Sequence, residues 1–248
     1  AEDLATVDLL AEGRLNPGVS VGTPMRYDDY KTSLYPDTHD IEDFSKDRVQ
    51  RLLSGLRGEP VSSFEGTVGI ETYSTRIQPH SPGLADRVWY GGGLASAQWA
   101  GEQGLNYLTS SVVSFEGTDS RDFATIQGEH IDAYLAHHRD PTRARVSQGL
   151  VVIPTDSATP EQIRRYEDYR ASRLPRTAGP QGPRGMMFSP DYVGPSDELA
   201  EQLRSHAGFQ RASEVAFALP FSFDAADYEQ IVTDMARHLG PALGWSPG

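Results

Sequence analysis

Three consecutive glycines could form the floor of a ligand site: Gly91, Gly92 and Gly93. They follow the apolar run RVWY and precede an alanine-rich helical pattern over 95–103, with Ser96 near its start. A strand, a glycine turn and a helix in this order direct unpaired backbone N–H groups and the positive end of the helix dipole at an anion. Neither the GxGxxG pattern nor the GxxxxGK pattern is present. The residues alone leave two alternatives open, a phosphate site or a plain turn with small residues for packing.

Three hydroxyl side chains follow at the end of the next apolar run: Thr109, Ser110 and Ser111. We expect that run, 105–113, to form a strand of the same sheet as 87–90. The carboxyl ends of parallel strands meet at one edge of a sheet, which is where α/β proteins bind ligands. The three hydroxyls are therefore predicted to form a second rim near the glycine turn.

Three further residues are candidates for contact with a substrate. Tyr27 and His39 lie in a polar, aromatic stretch, 23–40, that is predicted to be a loop, and Arg184 lies in a stretch rich in proline and glycine. A solvated surface position is the alternative for each of them. No side chain of the sequence stands out as a catalytic acid or base.

Composition excludes several classes of function. The 248 residues carry a formal net charge of −13, which argues against nucleic acid or an anionic membrane as a partner. The absence of cysteine excludes thiolate catalysis and cysteine metal sites, and it is typical of a cytoplasmic protein. The seven histidines show no metal-binding spacing, so no metal is expected. No apolar run is long enough to span a membrane.

The periodicity of apolar residues predicts strands that alternate with helices. The expected strands are 15–22, 87–90, 105–113, 145–154 and 214–220. The expected helices are 2–12, 41–57, 95–103, 122–138, 161–172, a helix with Ser196 as its N-cap, and 225–239. Strands that are each followed by a helix indicate parallel βαβ units, either an open doubly wound sheet or a barrel. The segment 59–83 is predicted as a hairpin-like insertion, and 173–195 as a mobile loop over the active-site face.

Several motifs together resemble the luciferase-like flavin-dependent monooxygenases. They are AEDLATVDLLAEGRLNPGVSVG at the start, QPHSPG before the strand that leads into the glycine turn, RVWYGGGLASAQWAGEQGLNYLTSS around that turn, VGPSDELAEQL, and PALGW near the end. They occur in the family's order and extend over essentially the whole chain. The resemblance implies an α/β fold of the TIM (β/α)8-barrel type in one domain, 1–248, of which this chain has strands four to eight.

The resemblance also implies a function. The family uses reduced FMN, or in some branches the deazaflavin F420, with dioxygen to oxidise small organic molecules. Gly92, Gly93 and Ser96 match its phosphate turn, and Thr109 to Ser111 match a strand end near the cofactor. An arginine that meets the phosphate in the luciferases is replaced by Val21. The substrate is expected under the segments 23–35 and 177–193.

Partners follow from the same resemblance. A flavin reductase, or NAD(P)H indirectly, would supply the reduced cofactor. The family's first three strands have no counterpart here, so we expect either association with a separate N-terminal segment or a dimer. The alternative function is a non-catalytic flavin-binding or interaction subunit derived from such a barrel.

Overall fold

The chain divides into two compact units, Ala1–Gly91 and Gly92–Gly248. The computed structural model describes residues 1–22 and 26–246. The sequence gives no sign of this division, since it predicts a single domain over 1–248. The boundary falls inside the triple glycine, so Gly91 belongs to the first unit and the two glycines after it to the second.

The described part of the first unit contains three α-helices, one 3-10 helix and four short strands. In chain order they are α1 (Glu2–Leu10), β1 (Gly18–Val19), α2 (Tyr27–Leu34), α3 (Lys46–Arg57), β2 (Gly66–Val68), β3 (Glu71–Tyr73), a 3-10 helix (Leu84–Arg87) and β4 (Trp89–Gly91). Strands β1 and β4 pair in parallel, with Gly18 opposite Trp89. Strands β2 and β3 form an antiparallel hairpin within the segment 59–83.

A buried carboxylate ties α1 to the segment before β4. Asp8 accepts hydrogen bonds from the Leu15 amide at 3.0 Å, the Ser81 hydroxyl at 2.5 Å and the Arg87 guanidinium at 2.5 Å. Burial alone would raise the pKa of Asp8, but these partners outweigh it and lower that pKa below its usual value. Asp8 is therefore a fully paired structural group.

Two helix predictions in the first unit are wrong. Helix α2 occupies a stretch that the sequence predicts as a polar loop, and it buries none of its residues. Its polar sequence has no apolar stripe, so periodicity could not find it. Helix α3 begins at Lys46 rather than at residue 41, because the Ser45 hydroxyl caps it by accepting from the Asp47 amide at 3.2 Å.

The second unit is larger and contains a three-stranded parallel sheet. Its elements are α4 (Leu94–Gln103), β5 (Asn106–Thr109), β6 (Val112–Ser114), α5 (Phe123–His137), β7 (Val146–Gln148), β8 (Val152–Pro154), α6 (Pro160–Arg173), a 3-10 helix (Leu174–Thr177), β9 (Met186–Phe188), β10 (Tyr192–Gly194), α7 (Ser196–Ser205), β11 (Glu214–Val215), α8 (Ala225–Asp234), a π-helical turn (Met235–Leu239) and α9 (Gly240–Ala242). Strand β7 lies between β5 and β11, parallel to both.

Two predicted strands are interrupted. The strand predicted over 105–113 ends at Thr109, because the Ser110 hydroxyl forms a local turn by accepting from the Val112 amide and donating to the Val112 carbonyl. The strand predicted over 145–154 ends at Gln148 and resumes as β8. The second halves take new partners, since β6 pairs antiparallel with β9 and β8 pairs parallel with β10.

These new partners lie in the segment 173–195, which the sequence predicts as a mobile loop. The segment contains a 3-10 helix and both β9 and β10, so much of it is regular structure. Its mobility stays a prediction. No helix in the described part of the chain is long and apolar enough to cross a membrane.

The ends of two later helices also differ from the prediction. Ser196 is the first residue of α7 rather than its N-cap, which is Pro195. The Asp156 carboxylate accepts from the Ser196 amide at 3.2 Å and so supplies the cap from a distant loop. Helix α8 ends at Asp234, and the remainder of the helix predicted over 225–239 is a π-helical turn.

Candidate functional site

The glycine turn has no room for side chains. Gly92 has a φ of +153°, and a Cβ placed on it would lie 2.5 Å from the Ser96 Oγ. A Cβ on Gly93 would lie 2.1 Å from the Ser114 Oγ. Both distances are far inside van der Waals contact, so the two glycines and the two serines form one tightly packed group. Small residues at 92 and 93 are required here.

The turn also leaves the start of a helix uncapped. Gly93 is the N-cap residue of α4 and has no side chain to accept from the first amides. Its carbonyl accepts from the Ser96 amide at 3.0 Å and the Ala97 amide at 2.9 Å, which begins the helical ladder. The positive end of the α4 dipole therefore has no side-chain cap, and an anion site at this turn stays a prediction.

Ser114 belongs to this group, and sequence reasoning missed it. It is the last residue of β6, and its Oγ is buried with no hydrogen-bond partner among the described residues. Buried hydroxyls in folded proteins are normally paired, so an open one beside a helix N-terminus fits a ligand with acceptor oxygens. Nothing in the local sequence signals this role, because it depends on the turn at Ser110.

One titratable side chain lies beside the same turn, and a second is buried on α5. The Glu116 Oε2 lies 3.9 Å from the position that a Cβ on Gly93 would take, and the side chain is exposed. His130, on α5, is 1% exposed, and neither ring nitrogen has a partner among the described residues. Burial lowers the pKa of His130, although Glu116 and Glu129 oppose the shift. His130 is therefore neutral at pH 7.

The predicted hydroxyl rim is only partly available. The Thr109 hydroxyl is buried and accepts from the Gln127 Nε2 at 3.3 Å, so it faces α5. The Ser110 hydroxyl is engaged in its own turn, as described above. The Ser111 carbonyl accepts from the Ser189 amide at 2.9 Å, which links the end of β5 to the segment after β9. A cofactor role for these three residues stays a prediction.

A buried phenol holds the glycine turn. The Tyr107 hydroxyl donates to the Gly92 carbonyl at 2.8 Å, and the Tyr107 ring stacks on Tyr134 at 5.4 Å between centroids. Burial raises the pKa of Tyr107 well above its usual value. The phenol therefore stays protonated and remains a donor.

The predicted substrate residues lie in both units. In the first unit, the Tyr27 hydroxyl donates to the His39 carbonyl at 2.7 Å, and its ring meets Phe44 edge-on. Burial raises the pKa of Tyr27. In the second unit, Arg184 is exposed in a turn that the Gly185 amide closes on the Gly182 carbonyl. Contact of these residues with a substrate stays a prediction, and residues 23–25 of the predicted segment 23–35 lie outside the described part of the chain.

Metal-binding side chains do not cluster in the described residues. In 1–22 and 26–246, no group of three or more histidine, aspartate or glutamate side chains could hold a metal ion.

Comparison with known proteins shows the fold. No protein-family model matches the chain, and no curated protein matches its sequence. Among solved structures, the chain is similar to apo-MsnO8, with a TM-score of 0.61 and 21% identity over 98% of this chain and 73% of that one. It is similar to the monooxygenase RslO1 from Streptomyces bottropensis, with a TM-score of 0.58 and 15% identity over 96% and 71% of the two chains.

A third similar structure contains a flavin. It is a type II Baeyer-Villiger monooxygenase, the oxygenating constituent of 3,6-diketocamphane monooxygenase from Pseudomonas putida, solved in complex with FMN. The TM-score is 0.53, at 15% identity over 99% of this chain and 75% of that one. The chain therefore has the fold of these monooxygenases. The predicted α/β class is confirmed, and so is the predicted likeness in fold to monooxygenases. The eight-stranded barrel stays a prediction.

Proposed function

We propose that this chain is a flavin-dependent oxidoreductase, a monooxygenase that uses reduced FMN and dioxygen on a small organic substrate, with F420 as the alternative cofactor. One observation carries the proposal. The uncapped N-terminus of α4 and the buried, unpartnered Ser114 hydroxyl meet at a turn in which Gly92 is exposed and only glycine fits at 92 and 93. That arrangement suits the phosphate of a flavin mononucleotide, and the fold is one on which such cofactors are found.

Each residue of the turn has a defined part in this proposal. Gly92 and Gly93 let phosphate oxygens approach the backbone, and the α4 dipole favours their negative charge. The hydroxyls of Ser96 and Ser114 donate hydrogen bonds to the same oxygens. When bound, the reduced cofactor supplies the electrons that activate dioxygen, while the protein supplies orientation and a dry pocket.

One group opposes the phosphate. The Glu116 carboxylate lies beside Gly93. Its negative charge would repel a phosphate bound at the turn and weaken that binding. The side chain is exposed and can turn toward solvent, so its repulsion is screened. We expect the affinity for FMN to rise with added salt over a low range, which is the reverse of a site that is only cationic.

We propose a flavin reductase, or NAD(P)H indirectly, as the source of reduced cofactor, and either a dimer or association with a separate N-terminal segment. We propose a cytoplasmic location, in line with the absence of cysteine.

A binding titration followed by an activity assay tests this function. FMN, riboflavin and F420 are each titrated into the protein, and binding is read from flavin fluorescence. Because charge-assisted hydrogen bonds contribute about 1.5–3 kcal/mol each, FMN should bind about tenfold or more tightly than riboflavin. Equal affinities for FMN and riboflavin would contradict a phosphate site at the turn.

Oxygen uptake then separates the enzyme from a binding subunit. With a flavin reductase and NAD(P)H present, the enzyme should consume oxygen faster than the reductase alone. Flavin binding without added oxygen uptake would support the non-catalytic alternative.

A further inference from the structure

Two neighbouring arginines of the second unit differ in their pairing, because only one of them bonds a carboxylate. Arg173, the last residue of α6, donates through Nε and Nη2 to the two oxygens of Asp191, with the Nη2 bond at 3.0 Å. This bidentate pair neutralises Arg173. Arg176, one turn further on, forms no ion pair within 4.0 Å with any residue in the described ranges. The cluster therefore retains one uncompensated positive charge.

The guanidinium of Arg176 is partly withdrawn from water. Its Nε is buried and has no hydrogen-bond partner among the described residues. Burial and the charge of Arg173 lower the pKa of Arg176, and Asp191 opposes the shift only in part. An arginine remains protonated even so. The side chain as a whole is half-exposed, so an anion from solvent can reach the guanidinium and supply the missing partner.

An aromatic ring fixes where this charge lies. The Arg176 Cζ lies 4.8 Å from the centroid of the Phe188 ring, a cation-π contact that orients the guanidinium. Phe188 is on β9, directly opposite Val112 on β6. Ser189 follows Phe188, and its amide bonds the Ser111 carbonyl at 2.9 Å. Arg176 therefore lies over β9 where it pairs with β6, the segment that directly follows the carboxyl end of β5, and α/β proteins bind ligands beyond the carboxyl ends of their strands.

We propose that Arg176 binds an anionic group of the substrate, so that the substrate class is an organic acid carrying a carboxylate, sulfonate or phosphate. This assignment of the ligand as substrate rests on the proposed function, whereas the anion site itself does not. The phosphate of the cofactor has the same chemistry and is the other possible source of the anion. The experiment has separate arms for the two sources.

Calorimetric titration at low ionic strength, with FMN present, tests the anion site. The probes are matched in shape and differ in charge: benzoate with benzamide, and butane-1-sulfonate with butan-1-ol. An anion should bind the wild-type protein and bind Arg176→Gln about tenfold or more weakly, while the neutral partner is unaffected. Arg176→Lys should recover part of the loss, since it keeps the charge but not the planar fork.

Arg170→Gln is the matched control, because Arg170 is an exposed arginine of the same helix that already pairs with Glu167 at 2.6 Å. It should bind the anions as the wild-type protein does. Failure of both anions to bind the wild-type protein, or equal binding to wild type and Arg176→Gln, would overturn the site.

Thermal unfolding separates ligand binding from a structural role. In buffer without added organic anion, Arg176→Gln should unfold at the same temperature as the wild-type protein or higher, because it removes an uncompensated charge. A lower unfolding temperature would show that the contact with Phe188 holds the fold instead.

Flavin titrations on the same variants identify the source of the anion. Arg176→Gln should leave the affinities for FMN and riboflavin unchanged. A loss of FMN affinity without a loss of riboflavin affinity would mean that Arg176 binds the cofactor phosphate, which would overturn the substrate assignment. If no flavin binds the wild-type protein but benzoate or the sulfonate binds through Arg176, the proposed function fails and the anion site stands.

Discussion

Two polar regions of the second unit differ in how completely their hydrogen bonds are made. Between α6 and α8, the buried carboxylates of Asp227 and Asp234 are saturated. Asp234 accepts from the Ser157 amide at 2.8 Å, the Ser157 hydroxyl at 2.7 Å and Gln230 at 2.7 Å. At the glycine turn, the Ser114 hydroxyl is buried without a partner in the described residues, and so are both ring nitrogens of His130 on α5. In the first, the closed region, other residues of the chain satisfy the buried polar groups. In the second, the open region, they do not.

This difference in hydrogen bonding indicates which region stabilises the fold and which one binds a ligand. A buried polar group that finds its partner within the chain adds to stability, whereas an unsatisfied one costs about 1–3 kcal/mol. Folding alone therefore favours the first arrangement and selects against the second. We expect variants of the closed region to change stability, and variants of the open region to change ligand affinity.

The largest expected effect is on the closed region. Asp227→Ala removes the acceptor for Gln162, Arg165 and Tyr166, so it should lower the free energy of unfolding by about 2–3 kcal/mol. Urea unfolding measures the change. Asp168→Ala, an exposed aspartate of α6, is the control and should change it by no more than about 0.5 kcal/mol. Equal losses of unfolding free energy in Asp227→Ala and Asp168→Ala would contradict a stabilising role for the closed region.

The same variant has a defined pH dependence. Burial alone would raise the pKa of Asp227, but hydrogen bonds from Gln162 and Arg165 outweigh it and lower that pKa below its usual 3.8. A carboxylate with a lowered pKa stabilises the fold fully above its usual value, and the contribution is lost as the pH falls through the lowered value. The difference between wild type and Asp227→Ala should therefore be constant near neutral pH and shrink below pH 3.8.

The next effect is on the open region. Gly93→Ala places a methyl group 2.1 Å from the Ser114 Oγ, although the backbone at φ −80° accepts alanine. Ser114 must move, so the affinity for FMN should fall about tenfold or more, while riboflavin affinity changes little. Gly179→Ala is the control, since nothing lies within 4 Å of its added methyl. Flavin fluorescence measures both, and unchanged FMN affinity in Gly93→Ala would place the phosphate elsewhere.

The smallest effect distinguishes two serine hydroxyls. Ser157→Ala breaks a hydrogen bond to Asp234 and should cost about 1–2 kcal/mol of stability. Ser114→Ala removes an unpaired group, so stability should hold or rise slightly, while FMN affinity falls by roughly threefold to tenfold. Thermal unfolding and flavin titration on both variants give the comparison. A stability loss in Ser114→Ala would show that its hydroxyl is paired in solution.

Local sequence signals account for much of the fold. Thr159 and Gln162 form a capping box around Pro160, and the predicted start of α6 is correct to within one residue. Gly93 and Ser96 are where the strand-turn-helix pattern indicates. These features depend on residues only a few positions apart, so the local sequence is enough to predict them.

Features that depend on distant pairing could not be predicted. Ser114 joins the turn only because β6 reverses to pair with β9, and Arg176 is placed by Phe188 of the same pair. Thr109 was expected at an open rim, but its side chain turns toward Gln127 on α5. A period of two along a strand assigns alternate faces, and it cannot say which face meets a helix.

The hydrogen bond from Tyr107 to Gly92 has a consequence for the direction of the next amide. A peptide unit is planar and trans, so its carbonyl and its N–H point in opposite directions. With the Gly92 carbonyl held on the phenol, the N–H of Gly93 must point away from Tyr107. Glycine-glycine peptides otherwise rotate with little steric resistance, and rotation would reverse that donor. A single buried ring thus fixes the direction of the Gly92–Gly93 peptide.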